Sequence, residues 1–143
     1  MKRILKSGIL LAIITLVVTS CCKDKPATEP QLSPPSWILG EWECSFEMGT
    51  VEVTAIYKFT SNDLIMTSDA VGAVTISLRE YAKYGVYYNI KEAIKTDDIY
   101  EITLTASLGT EVVHNFKKGD GTYIEYTGEI DGNTSETFRL EKK

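Results

Sequence analysis

From Trp37 to Lys143 the chain contains no proline, and along that stretch apolar and polar residues alternate one for one in segment after segment. In "EWECSFEM" the residues Trp42, Cys44, Phe46 and Met48 alternate with Glu41, Glu43, Ser45 and Glu47. Successive side chains of a strand point to opposite faces, so this pattern specifies a sheet with one dry face and one wet, acidic face. "VEVTAIYKF" repeats it with Val51, Val53, Ala55, Tyr57 and Phe59 inward, and "YYNIKEAIK", "YEITLTASL", "EVVHNFK", "TYIEYTGEI" and "SETFRLEK" follow. Between them "KTDD", "GT", "KGDG" and "DGN" supply the Asp, Asn and Gly that tight hairpins require.

Antiparallel strands with one apolar face each must stack as two sheets or curl until the sheet closes on itself, and two- to four-residue connections favour closure. The expected fold is all-β, a small up-and-down antiparallel β-barrel of eight or nine strands, the count turning on whether 71–76 forms a strand. One segment departs from the alternation. "SLREYAKYG" offers Ser77 as N-cap, Glu80 three residues later, Leu78, Tyr81 and Ala82 at helical spacing and Gly85 to end it, which predicts a short helix over 78–84.

The chain ahead of Trp37 has a different character. Lys2, Arg3 and Lys6 precede the apolar run Ile9–Val18, which as a helix spans about half of the roughly 30 Å hydrocarbon layer, so it reads as a secretory signal and not as an anchor. The run ends in "VTSC", which resembles the lipobox at which bacterial lipoprotein precursors are cut. That resemblance implies a signal peptide over 1–20 and acylation of Cys21, with Cys22 as the second choice because it would put Thr19 where an apolar residue is usual. All four prolines then fall between residues 26 and 35, and 21–36 reads as a polyproline-rich tether ahead of one domain at 37–143. Removing residues 1–20 takes away three positive charges, so the formal net charge falls from −5 to −8. An acidic protein without clustered Lys and Arg is a poor match to phosphate backbones, which argues against nucleic acid as a partner and leaves membrane attachment to the lipid. Asp is absent from the position that retains lipoproteins in the inner membrane, which points to the outer membrane, its periplasmic face or the cell surface.

Gly40-Glu41-Trp42 opens the first strand, preceded by "PSWIL", a segment suited to a helical turn across the barrel floor. This opening resembles the G-x-W signature of the lipocalins, and the chain looks like the small lipocalin-like lipoproteins of Gram-negative envelopes. The resemblance implies a barrel whose floor is plugged by Trp42, Gly40 admitting a close neighbour beside it, and Arg139 of the last strand packing over the indole. Simple alternation puts Phe138 and Leu140 inward and Arg139 outward, so that packing requires the arginine to reach round the rim.

Little in the chain points to catalysis or to a metal. His114 is the only histidine, and of three cysteines only Cys44 belongs to the domain, on an apolar face where it serves as a small hydrophobe; a bridge to Cys22 is the alternative. No zinc or haem set, nucleophile elbow or phosphate loop is present, so no cofactor and no enzyme activity are expected. Glu92 shares the inward parity of Tyr88, Ile90 and Ile94; either it points inward as a polar anchor, or a bulge turns it to solvent. Tyr57, Tyr100 and Tyr126 share that parity as well.

Two functions follow. In one, the barrel takes up a small apolar or amphipathic ligand, with Tyr57, Phe59, Met66, Tyr88, Glu92 and His114 as its lining. In the other, a solid barrel serves as a protein–protein interaction or inhibitor module of an envelope complex.

Overall fold

The computed structural model describes residues 31–70, 72–106 and 108–143, the side chains of residues 87 and 88 excepted. Cys21, Cys22 and the signal segment lie outside the described residues. The alternating segments are strands: β1 (Gly40–Met48), β2 (Val51–Phe59), β3 (Leu64–Ser68), β4 (Val74–Ser77), β5 (Tyr87–Lys95), β6 (Ile99–Ala106), β7 (Glu111–Lys118), β8 (Tyr123–Ile130), the two-residue β9 (Asn133–Thr134) and β10 (Phe138–Lys142). The segment at 71–76 thus contributes a strand, β4. Burial follows the sequence parity, with Tyr100, Ile102 and Leu104 of β6 and Ile124 and Tyr126 of β8 buried and their neighbours partly exposed.

Antiparallel ladders join the strands in the order β4-β3-β2-β1-β10-β8-β7-β6-β5, with β9 paired to β8, and the first strand meets the last through Trp42↔Lys142 and Glu43↔Glu141. The result is the expected all-β, up-and-down antiparallel architecture, a curled, half-barrel sheet of nine strands along one path; the ladder expected to close the sheet on itself is not made, since β4 and β5 end the path without pairing with each other. Eight antiparallel ladders lie between β4 and β5 along this path, an even number, so these two strands run in the same direction. A chain that must re-enter in the same direction needs a crossover in place of a hairpin.

The one α-helix among the described residues, α1 (Leu78–Lys83), makes that crossover and touches β3, β4 and β5. It starts and stops where the sequence says. The Ser77 side chain accepts from the Glu80 N–H at 3.1 Å, and after Lys83 the Gly85 N–H bonds to Ala82 C=O and the Val86 N–H to Tyr81 C=O, with Gly85 at φ 72°. Asp63 fixes the start a second time, accepting from the Ser77 hydroxyl and from the Arg79 N–H. The sheet margins on either side are guarded: β4 has four residues, and β5 carries Lys91, Lys95 and two register shifts.

Strands β1 and β3 start, and β2, β4 and β5 finish, at one end, called the floor; the opposite end is the mouth. Across the interior, rings of β2 meet rings of β7 and β8, with centroids 4.9 Å apart for Tyr57–Tyr126 and for Phe59–Phe116, and 5.9 Å for Tyr57–Phe116. Packing begins earlier than Trp37, since Leu32 is 3% exposed and belongs to the same core.

Candidate functional site

At the floor, a 3-10 turn (Ser36–Ile38) leads into β1. Trp42 is buried and its Nε1–H donates to Ile38 C=O at 2.7 Å, while Trp37, half-buried, donates to Thr96 C=O at 3.1 Å and so ties the turn to the β5–β6 connection. The two tryptophans sit together because they perform two tasks, one filling the floor and one pinning the segment that covers it. Gly40 has φ 118°, and a Cβ there would meet only Lys142 Cε at 4.0 Å. Its glycine is therefore demanded by backbone conformation and not, as expected, by a close neighbour. The cation over the indole is also not the expected one. Lys142 Nζ lies 5.4 Å from the Trp42 ring, whereas Arg139 is exposed, stacks on Tyr123 at 3.8 Å and pairs with Glu141. Strand parity decides this: Trp42 is the register partner of Lys142, and Arg139 stands on the outward face opposite Glu125.

Along the axis, Tyr57, Phe59, Met66 and His114 are each 2% exposed or less. His114 Nδ1 lies 3.0 Å from the Tyr126 hydroxyl, and its ring is nearly parallel to Phe116, at 9°. Burial without an acidic neighbour lowers its pKa to about 4, so the imidazole is neutral at physiological pH. Its Nε2 is buried without a hydrogen-bond partner, and burial, with Tyr126 beside it, raises the Tyr57 pKa well above the ordinary phenol value. Cys44, free and buried beside them, has its thiol pushed up to about 12 by burial, which leaves it inert as a nucleophile. Among the described residues no group of three metal-ligating side chains comes together.

Glu92 points to the interior side but does not wait there for a ligand. Its carboxylate accepts from the Ser33 N–H at 2.8 Å, the Ser33 hydroxyl at 3.2 Å and the Tyr100 hydroxyl at 2.7 Å, and Lys95 Nζ donates to the Ser33 hydroxyl at 2.6 Å. The chain's own entering segment occupies this anchor. A bulge exists but falls after Glu92, between Glu92 and Ile94, and it is Ile94 that turns outward to 38% exposure. Tyr88 lies in β5 and its side chain is outside the described residues. So the structure brings Tyr57, Phe59, Met66 and His114 together in one packed core and sets Glu92 apart at the strand edge. Neither Lys142 nor Ser33 was legible as a partner, because each contact depends on register or on a pairing distant in sequence.

Two hollows among the described residues lie away from the axis. One of about 480 Å³, lined by Asp63, Ile65, Thr75, Ser77, Arg79, Glu80 and Lys83, runs beside α1. The other, about 390 Å³, sits at the mouth by the β1–β2 hairpin and is lined by Ser45, Phe46, Glu47, Gly49, Thr50 and Glu52. The mouth also carries three of the large exposed apolar side chains, Val51 at 59%, Tyr84 at 75% and Leu108 at 90% exposure. Comparison with known proteins returned no matching family model, no matching curated relative and no matching solved structure.

Proposed function

We propose that this chain is a lipid-anchored, lipocalin-like module of the bacterial cell envelope that works by protein–protein interaction through the outside of a solid barrel. One observation carries this reading over that of a small-ligand carrier: four of the side chains best suited to line a cup, Tyr57, Phe59, Met66 and His114, are each 2% exposed or less, and the rings of Tyr57, Phe59 and His114 all pack against Phe116. A carrier of a drug-sized ligand needs a concavity of several hundred Å³ lined by such residues. The occupied carboxylate of Glu92 agrees with the same reading, and the acidic surface suits a basic partner. Acylation at Cys21 and a short tether would hold the domain at the outer membrane; palmitate labelling of the full-length chain, lost on Cys21→Ala and kept on Cys22→Ala, checks the anchor.

The function itself is tested on full-length protein extracted with its anchor intact. Native mass spectrometry and organic extraction are expected to yield no stoichiometric small molecule, while a protein co-purifies at a fixed ratio. A bound lipid-like compound at one per chain overturns the proposal in favour of the carrier.

A further inference from the structure

The outer face of β1 is electrostatically uneven. Toward the floor, Glu41 pairs with Lys58 at 2.8 Å and Glu43 with Lys143 at 3.1 Å. Toward the mouth, Glu47 stands directly opposite Glu52 in the β1–β2 ladder, both are exposed, and neither makes an ion pair among the described residues. Like charges set opposite each other across a ladder destabilise a sheet. These two carboxylates and the partly exposed Phe46 are among the residues that line the mouth hollow. Around the same end the topology gathers Val51 at the start of β2, Tyr84 after α1 and Leu108 between β6 and β7, all largely exposed.

Accepting the interaction reading above, we infer that the mouth end is the docking face, and that its occupant is a basic protein segment bearing apolar side chains. A Lys or Arg of that segment enters the hollow, its methylenes on Phe46 and its charge between Glu47 and Glu52, relieving the carboxylate repulsion. Neighbouring apolar side chains cover Val51, Tyr84 and Leu108. A second copy of this chain is the wrong partner, because Glu47, Glu52, Glu111 and Asp131 at this end, against Lys83, would face their own kind.

Full-length protein carrying the photo-crosslinker benzoylphenylalanine in place of Val51, Tyr84 or Leu108, or in place of Asp97 at the floor, tests this in cells that make the protein. Adducts are expected from the three mouth positions and not from 97, with the captured peptide holding Lys or Arg next to an apolar residue. Glu52→Lys is expected to cut the yield at least tenfold while raising the denaturation midpoint, since it turns a repulsive cross-strand pair into an attractive one; a folding defect moves both readouts down. Asp97→Lys serves as the matched charge change and leaves the yield as it was. Adducts from position 97 alone overturn the mouth assignment and keep the interaction module. Self-adducts, an acidic captured peptide or a lipid adduct at the mouth overturn the docking proposal, and no adduct at any position overturns both readings.

Discussion

Ser33 and Glu92 are hydrogen-bonded twice, at 2.8 Å and 3.2 Å, across 59 residues of sequence. The last part of the proline-rich segment is therefore bound to the barrel wall, with Leu32 inserted into the core beside it. A chain that starts at Trp37 loses these contacts. Its urea midpoint is expected below that of a chain starting at Gln31, and Leu32→Ala alone is expected to cost about 2–3 kcal/mol. Equal midpoints would mean that the segment adds nothing to the domain.

His114 predicts how the fold responds to acid. Its pKa falls from the ordinary 6.5 in the unfolded chain to about 4 in the folded one. Above pH 6.5 both states are neutral and stability is complete; as pH drops through the window from 6.5 to 4 the unfolded chain takes up the proton first, and stability is lost. Over the whole window the loss amounts to about 3 kcal/mol. His114→Phe is expected to remove that slope from urea titrations run at pH 4.5, 5.5, 6.5 and 7.5, whatever its effect on absolute stability.

The floor separates the two residues that the lipocalin resemblance links. Trp42→Ala is expected to cost about 3–5 kcal/mol, from lost burial and a cavity. Arg139→Ala should leave the midpoint within error of the parent, since its side chain is exposed and stacks on Tyr123. A large loss from Arg139→Ala would restore the arginine to the indole.

Gly40→Ala tests whether conformation or crowding fixes that glycine. At φ 118° an L side chain is strained, for about 1–3 kcal/mol, although the nearest atom to the new Cβ is 4.0 Å away. Gly119 is the converse, since a Cβ there would lie 2.6 Å from Tyr123. Part of that clash is with the Tyr123 backbone carbonyl, also at 2.6 Å, so Tyr123→Ala should rescue Gly119→Ala only in part, and Gly40→Ala not at all, in denaturation measurements.

Asp63→Ala removes the acceptor for the Ser77 hydroxyl and the Arg79 N–H. The expected cost is about 1–3 kcal/mol, localised by hydrogen exchange to α1. Exchange rates rising evenly over the whole sheet would show that the carboxylate does not act on the helix.

Features set by neighbours in sequence were legible. Ser77, Glu80 and Gly85 delimit α1 through bonds within a few residues, and the parity of Trp42, Cys44, Tyr57 and Phe59 predicts their burial because a strand has only two faces. Long-range register was not legible. That Lys142 and not Arg139 comes over Trp42 depends on how β10 slides against β1, and that Glu92 stays inward while Ile94 turns out depends on which residue a bulge follows. "QLSPPS" reads as linker by composition, and a single leucine in it gives no sign that it docks. The exposed tips Val51, Tyr84 and Leu108 sit in or beside turns whose positions were evident, but only the strand directions place all three at one end.

The even number of ladders between β4 and β5 gives the curled sheet a single hinge line. Everywhere else along the path, neighbouring strands can part only by breaking the backbone hydrogen bonds of a ladder, whereas no ladder joins β4 to β5 and α1 spans the line between them. Thermal breathing is thus channelled along one wall, and opening there leaves every rung of the sheet intact.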